Sequence, residues 1–239
     1  ISPPTIAQLL PDNTLGDNDS IVNQNVTVRG ALGDRIEGGV RRQSNLFHSF
    51  REFNVEAGQR VYFRNPSSVD TILTRVTGTN QSNILGTLGV DGDANLFLMN
   101  PNGIYFGEDA RLDVSGSFVA TTADTIQLGN GEFSSRQPQP PAQTLTVAPS
   151  AFLFNQLNQT RGNITVESGA TDPNDLTPSA NGLSVPDGQS LILLGGDVMV
   201  DGGYLRSQGG RIELGGLDEP GTVALRVSQD NRRLRLPFP

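Results

Sequence analysis

The chain has 239 residues, with 17 basic against 25 acidic side chains and a net charge of −8. All of its basic residues are Arg, it has no Cys, and its only His is His48. These features exclude disulfides, thiolate metal sites, cysteine nucleophiles and His-rich zinc centres, and the acidic balance removes the broad cationic field that non-specific nucleic-acid binding needs. With 28 Gly, 15 Pro and only 18% charged residues, the composition favours short strands joined by many turns.

Residues 1–20, with Pro3-Pro4 and Pro11-Asp12-Asn13, form the start of an N-terminal cap. From Ile21 onward, strand-like patches alternate with turn signals: Ile21-Val22, Val26-Thr27-Val28, Val61-Tyr62-Phe63, Thr71-Ile72-Leu73-Thr74 and Asn95-Leu96-Phe97-Leu98-Met99. Helical periodicity is nowhere sustained. One segment, Ser150 to Leu157, reads either as a short capped helix or, through Phe152-Leu153-Phe154, as a strand. Segment 134–181 is interrupted by Pro138, Pro140, Pro141, Pro173 and Pro178 and reads as loop-rich excursions. Strand patches resume over 182–239, and the tail Arg232 to Pro239 carries no closing signal. A chain starting at Ile1 and ending this way reads as a processed piece of a longer protein.

Apolar landmarks recur at intervals of 23 residues (Leu73 to Leu96), 22 (Leu96 to Phe118) and 21 (Leu191 to Ile212). Such a period predicts a solenoid in which each coil stacks about 4.8 Å above the last and buries its apolar stripe only against its neighbours. The two ends of such a column need covering, because unpaired strand edges invite aggregation.

Acidic pairs at Asp17/Asp19, Asp91/Asp93, Glu108/Asp109 and Asp197/Asp201 each sit among turn residues, where Asp is ordinary turn chemistry. They match neither an EF-hand nor a calcium-binding nonapeptide. His48 is followed by Ser49, but neighbours in a strand point to opposite faces, so the two form no dyad and His48 reads as a packed histidine. The Gly-rich stretch Gly86 to Gly92 lacks the pattern that cradles a phosphate and reads as a turn.

Asn100-Pro101-Asn102-Gly103-Ile104 follows the apolar strand directly and meets type I turn preferences at successive positions. Pro101 presets φ, Asn102 tolerates unusual backbone regions, and Gly103 removes a Cβ where the next strand begins. A side-chain bond from Asn100 to the following backbone is expected to contribute about 1 kcal/mol.

On this motif, together with Asn45-Leu46-Phe47-His48-Ser49-Phe50, Arg75-Val76-Thr77-Gly78, Ile84-Leu85-Gly86, Asn95 to Gly107 and Gly116 to Thr122, the chain resembles the secretion domain of two-partner secretion exoproteins, the filamentous-haemagglutinin type. The family's earlier Asn-Pro-Asn-Leu motif corresponds to Asn65-Pro66-Ser67-Ser68, which keeps the Asn-Pro turn starter and departs at its third and fourth positions. The resemblance implies an all-β fold, a right-handed single-stranded parallel β-helix with an N-terminal cap and small extra-helical β elements. It implies one domain over 1–239, with the core coils at 21–133, acting as a monomer without catalysis, metal or small-molecule cofactor. The implied partner is an outer-membrane TpsB transporter, whose POTRA domains bind the domain in the periplasm and export the exoprotein to the cell surface or medium, where the β-helix folds. Asn100, Pro101, Asn102, Gly103, Ile104, Asn65 and Pro66 are the candidate recognition or structural residues.

Fold alone leaves two other classes open: an adhesin that binds glycans or cell surfaces, directly or through the passenger downstream, and a carbohydrate-active enzyme. An adhesin would show a saturable ligand, and an enzyme would show turnover abolished by an acidic substitution.

Overall fold

A computed structural model describes residues 9–16, 18–155, 162–171, 182–228, 230 and 233–237. The described residues contain strands and turns but no helix, and they wind into a β-solenoid of about seven turns. The strands of the column stack into three faces. The main face stacks Asn45–Phe53, Thr71–Val76, Asn95–Met99, Phe118–Thr121, Ser190–Gly195 and Arg211–Gly216 in parallel. The second face stacks Ser82–Ile84, Ile104–Phe106, Ile164–Val166 and Val198–Val200. The third stacks Ala31–Gly38, Arg60–Arg64, Thr87–Asp91 and Arg111–Asp113, with Leu183–Val185 and Leu205–Ser207 forming a separate parallel pair.

Alternation along the main-face strands produces two apolar ladders. Leu46, Ile72, Leu96, Phe118 and Leu191 lie in register and fill the column interior. Phe47, Leu73, Phe97, Val119 and Ile192 form the neighbouring ladder and face outward. Instead of meeting water, the outward ladder is covered by a four-stranded antiparallel sheet outside the column, made of Thr125–Leu128, Gly131–Ser134, Ala151–Phe154 and Gly221–Ala224. Phe133 packs edge-on against Phe47 with ring centroids 4.9 Å apart, and Phe152 stacks on Phe97 at 6.4 Å. With both faces covered, every residue of Asn95–Met99 and of Ser190–Gly195 is buried, which is why these strands read as unbroken apolar runs.

The solenoid period was legible, with one slip. Leu96 stacks on Phe118 and Leu191 on Ile212, as the spacing predicts, but Leu96 pairs with Ile72 while Leu73 pairs with Phe97. A one-residue shift exchanges the faces, so Leu73 belongs to the outer ladder and not to the interior. The Ser150 to Leu157 ambiguity resolves over its described part as the strand Ala151–Phe154. Within 134–181, Ile164–Val166 is a strand of the column itself, while Pro173 and Pro178 lie outside the described residues.

The first coil is closed by the strand Leu9–Pro11, antiparallel to Asn45–Phe53, and by Ser20–Val28, antiparallel to Ala31–Gly38. Residues 1–8 and Asp17 lie outside the described residues. Arg75 joins the cap to the rest. It is 1% exposed, and its Nε donates to Ser49 Oγ (2.9 Å), one Nη to Ser134 O (3.0 Å), and the other to Thr14 O (3.2 Å), Thr14 Oγ1 (2.8 Å) and Gln139 O (3.0 Å). Its guanidinium also lies 4.5 Å from the centroid of the Phe133 ring. One side chain thus ties the cap, the column and the outer sheet together. Burial lowers its pKa to about 10 against the opposing pull of Asp12, so it is charged at neutral pH.

His48 is fully buried on the interior row, next to Phe63, with Nδ1 3.0 Å from Ser20 Oγ and Nε2 without a partner. Burial pushes its pKa down to about 3, so the fold holds the neutral ring. The unfolded chain takes up that proton near pH 6.5. Stability from this site is therefore complete above pH 6.5 and falls by about 1.4 kcal/mol per pH unit as the pH drops from 6.5 toward 3. Urea titrations between pH 7 and 4 on the wild type and on His48→Asn check this, and the variant is expected to lack that part of the slope.

Candidate functional site

The Asn100 to Ile104 segment forms the corner between the main-face strand Asn95–Met99 and the second-face strand Ile104–Phe106. Gly103 N donates to Asn100 O (3.1 Å), closing the turn that the residue types predict, and Asn102 N donates to Asn100 Oδ1 (3.0 Å), the expected side-chain bond. Asn100 is fully buried, and its Nδ2 reaches the preceding coil, donating to Asn80 O (3.0 Å) and Ser82 Oγ (2.9 Å). Asn102 Nδ2 donates to Gly78 O at 2.9 Å. On the other side, Gly162 N donates to Pro101 O (3.1 Å) and Ile104 N to Asn163 O (3.0 Å).

The polar groups of the turn are therefore spent partly within the turn and partly on the coils to either side. Gly103 has φ +119, a region that L side chains rarely adopt, and a Cβ on Gly162 would come within 2.1 Å of Gly103 N. Gly162 and Asn163 belong to the site although sequence reasoning did not single them out. They are next-coil neighbours separated in sequence by the outer sheet's insertion, so no local pattern joins them to the motif. Pro101, Gly103 and Ile104 are buried as well, which leaves Asn102 as the partly accessible member.

Asn65 and Pro66 form an analogous corner before Thr71–Val76. With its amide oriented to match its surroundings, Asn65 donates from Nδ2 to Pro66 O and Val69 O (both 3.1 Å), while Oδ1 accepts from Asp93 N (3.1 Å) and Ala94 N (3.0 Å) of the next coil. Val69 N closes the turn on Pro66 O at 3.2 Å. Thus both Asn-Pro sites are corner staples in which an Asn amide binds an adjacent coil. They lie on different corners, and the structure does not join them in one cluster. Ser68, at the departing fourth position, is exposed with φ 64. A left-handed conformation costs a non-Gly residue about 1 kcal/mol, so Ser68→Gly is expected to raise stability by about 0.5–1 kcal/mol in urea denaturation.

The acidic pairs do not assemble a metal centre: among the described residues no group of three or more His, Cys, Asp or Glu is placed to hold an ion. Glu108 and Asp109 occupy a corner turn, and Asp91 ends a strand that turns at Gly92.

The family model described as "TPS secretion domain" matches residues 7–237. The chain belongs to the TPS secretion domain family. These are the secretion domains of two-partner secretion exoproteins, which are exported across the outer membrane. The crystal structure of the HMW1 secretion domain from Haemophilus influenzae shares the fold, with a TM-score of 0.58 and 20% identity over 92% of this chain and 49% of that one. The filamentous hemagglutinin secretion domain aligns over 87% of this chain and 100% of its own, with a TM-score of 0.46 and 15% identity. Two heme/hemopexin-binding proteins of Haemophilus influenzae are similar in sequence, one from strain Rd at 35% identity over 85 residues and another at 28% over 112 residues. Those matches cover 34% and 46% of this TPS domain and only 9% and 11% of the relatives' own length.

Proposed function

We propose that this TPS domain is the export address of its exoprotein, read in the periplasm by the POTRA domains of a TpsB transporter before the β-helix forms, and that it then seeds folding outside the cell. The observation that carries the timing is the burial of the Asn100 to Ile104 turn. Asn100 is wholly enclosed and its amide is bonded to Asn80 and Ser82, so a partner that reads this motif must meet it in an unfolded or partly folded chain.

The same construction supports the folding step. The described residues contain no helix, and the chain has no Cys, so it can pass a narrow pore extended and unlinked. Each coil that emerges then finds a waiting sheet edge, and inner-ladder contacts add up coil by coil, which opposes backsliding. Extended segments are also suited to pair with an exposed sheet edge of the transporter, where main-chain bonds give affinity and alternate side chains give selectivity. We read the domain as non-catalytic, which fits a buried His48 and acidic residues engaged in corners. Binding of the unfolded chain to periplasmic domains from its own and from a non-cognate transporter tests the address. Selective binding to the cognate one is expected, and equal binding to both would contradict it.

A further inference from the structure

The chain leaves the column after Arg211–Gly216, adds Gly221–Ala224 to the outer sheet, and folds back as a small hairpin of Arg226–Val227 and Leu234–Arg235. Ser190 pins the hairpin to the column, because its Oγ donates to Leu234 O (2.9 Å) and accepts from Leu234 N (3.0 Å). Between hairpin and column lies a cavity of about 350 Å³ whose wall includes Arg211, Arg226, Arg233, Arg235, Ser190 and Ser228. Among the described residues no carboxylate lines it. Asp230, in the same hairpin, accepts from Ser228 Oγ and lines a separate groove with Asp70 and Asp93.

The placement of the charges is the unusual feature. Arg226 and Arg235 are directly opposed in the antiparallel register. Like charges in that position repel and weaken the pairing. Arg233, immediately before the second strand of the hairpin, lines the same cavity. Arg211 is paired with Glu213 (3.3 Å), but among the described residues the guanidinium groups of Arg226, Arg233 and Arg235 have no ion pair. In a chain of net charge −8, a cavity whose wall carries four arginines, three of them without an ion pair among the described residues, separates charge against the average of the molecule.

We infer that this cavity is a binding site for a tetrahedral oxyanion ester, a phosphate or sulfate monoester carried on a sugar-sized group. Guanidinium forks match the oxygens of such esters in a bidentate manner. A bound ester would also cancel the repulsion between Arg226 and Arg235. The volume is at the small end of ligand pockets, which suits one monosaccharide and not a polymer threaded through the fold. The inference concerns a different surface from the corner motif and is independent of the export reading.

Calorimetric titration of the folded chain with glucose 6-phosphate, glucose 6-sulfate and glucose tests this, with vesicles containing phosphatidylglycerol as a parallel arm that separates a lipid headgroup from a soluble ester. Saturable binding of both esters below about 1 mM is expected, weakened by added NaCl, with none for glucose. R226A/R235A is expected to weaken ester binding at least about tenfold while its melting temperature stays level or rises. On the wild type, NMR shifts of Arg side-chain Nε–H groups on adding glucose 6-phosphate should centre on Arg226, Arg233 and Arg235, a readout that needs no variant. Absence of saturation by either ester up to about 10 mM, binding to vesicles alone, or undiminished binding by R226A/R235A would each overturn the assignment.

Discussion

Arg75→Met is expected to destabilise the domain by about 3–5 kcal/mol, because it removes a buried charge whose partners stay behind without bonds. The methionine fills much of the volume, so the loss is chiefly electrostatic and hydrogen-bonded. Thr14 O, Ser134 O and Gln139 O lose their donor, and Asp12, which accepts from Thr14, Ser49 and Thr77, loses the positive charge beside it. Arg75→Lys keeps the charge but not the fork, and an intermediate loss is expected. Urea denaturation followed by far-UV circular dichroism measures both, with Arg41→Met as the exposed control, expected to stay within about 1 kcal/mol. A loss below about 1 kcal/mol for Arg75→Met would show that cap and outer sheet hold without the staple.

The second large effect is expected at Asn100. Asn100→Ala removes the amide bonds to Asn80 O and Ser82 Oγ and the acceptor for Asn102 N inside a sealed corner, at a cost of about 2–4 kcal/mol. Asn102→Ala also loses the bond to Gly78 O, but at a partly accessible site, and about 1 kcal/mol is expected. Comparing the two separates folding from recognition. If the transporter reads the motif, Asn102→Ala lowers export far more than its stability loss implies, whereas a purely structural motif makes export follow stability across both variants.

The parts of the fold that were legible are those set by local chemistry and by double burial. Asn95–Met99 announces itself because both of its sides are covered, and the Asn100 turn because Asn, Pro, Asn and Gly each favour their own place in it. Register across coils was less legible, since corner lengths vary: 24 residues separate Ile72 from Leu96, while 22 separate Leu96 from Phe118. Ile164–Val166 was hidden in a proline-broken region because three residues carry too little pattern. Arg75 left one signal, a charge inside the wholly buried run Thr71–Val76, but its partners come from the cap and from residues about sixty positions onward. Likewise, the reach of Asn102 to Gly78 and the closeness of Gly162 to Gly103 arise from stacking, which sequence proximity does not encode.

On the proposed route the address is read before the corners close. The affinity of the cognate transporter's periplasmic domains for this chain in two states, freshly diluted from urea and fully refolded, measures this directly. Much tighter binding to the unfolded chain, fading at the rate at which circular dichroism reports folding, is the predicted result. Equal or tighter binding to the refolded domain would contradict it.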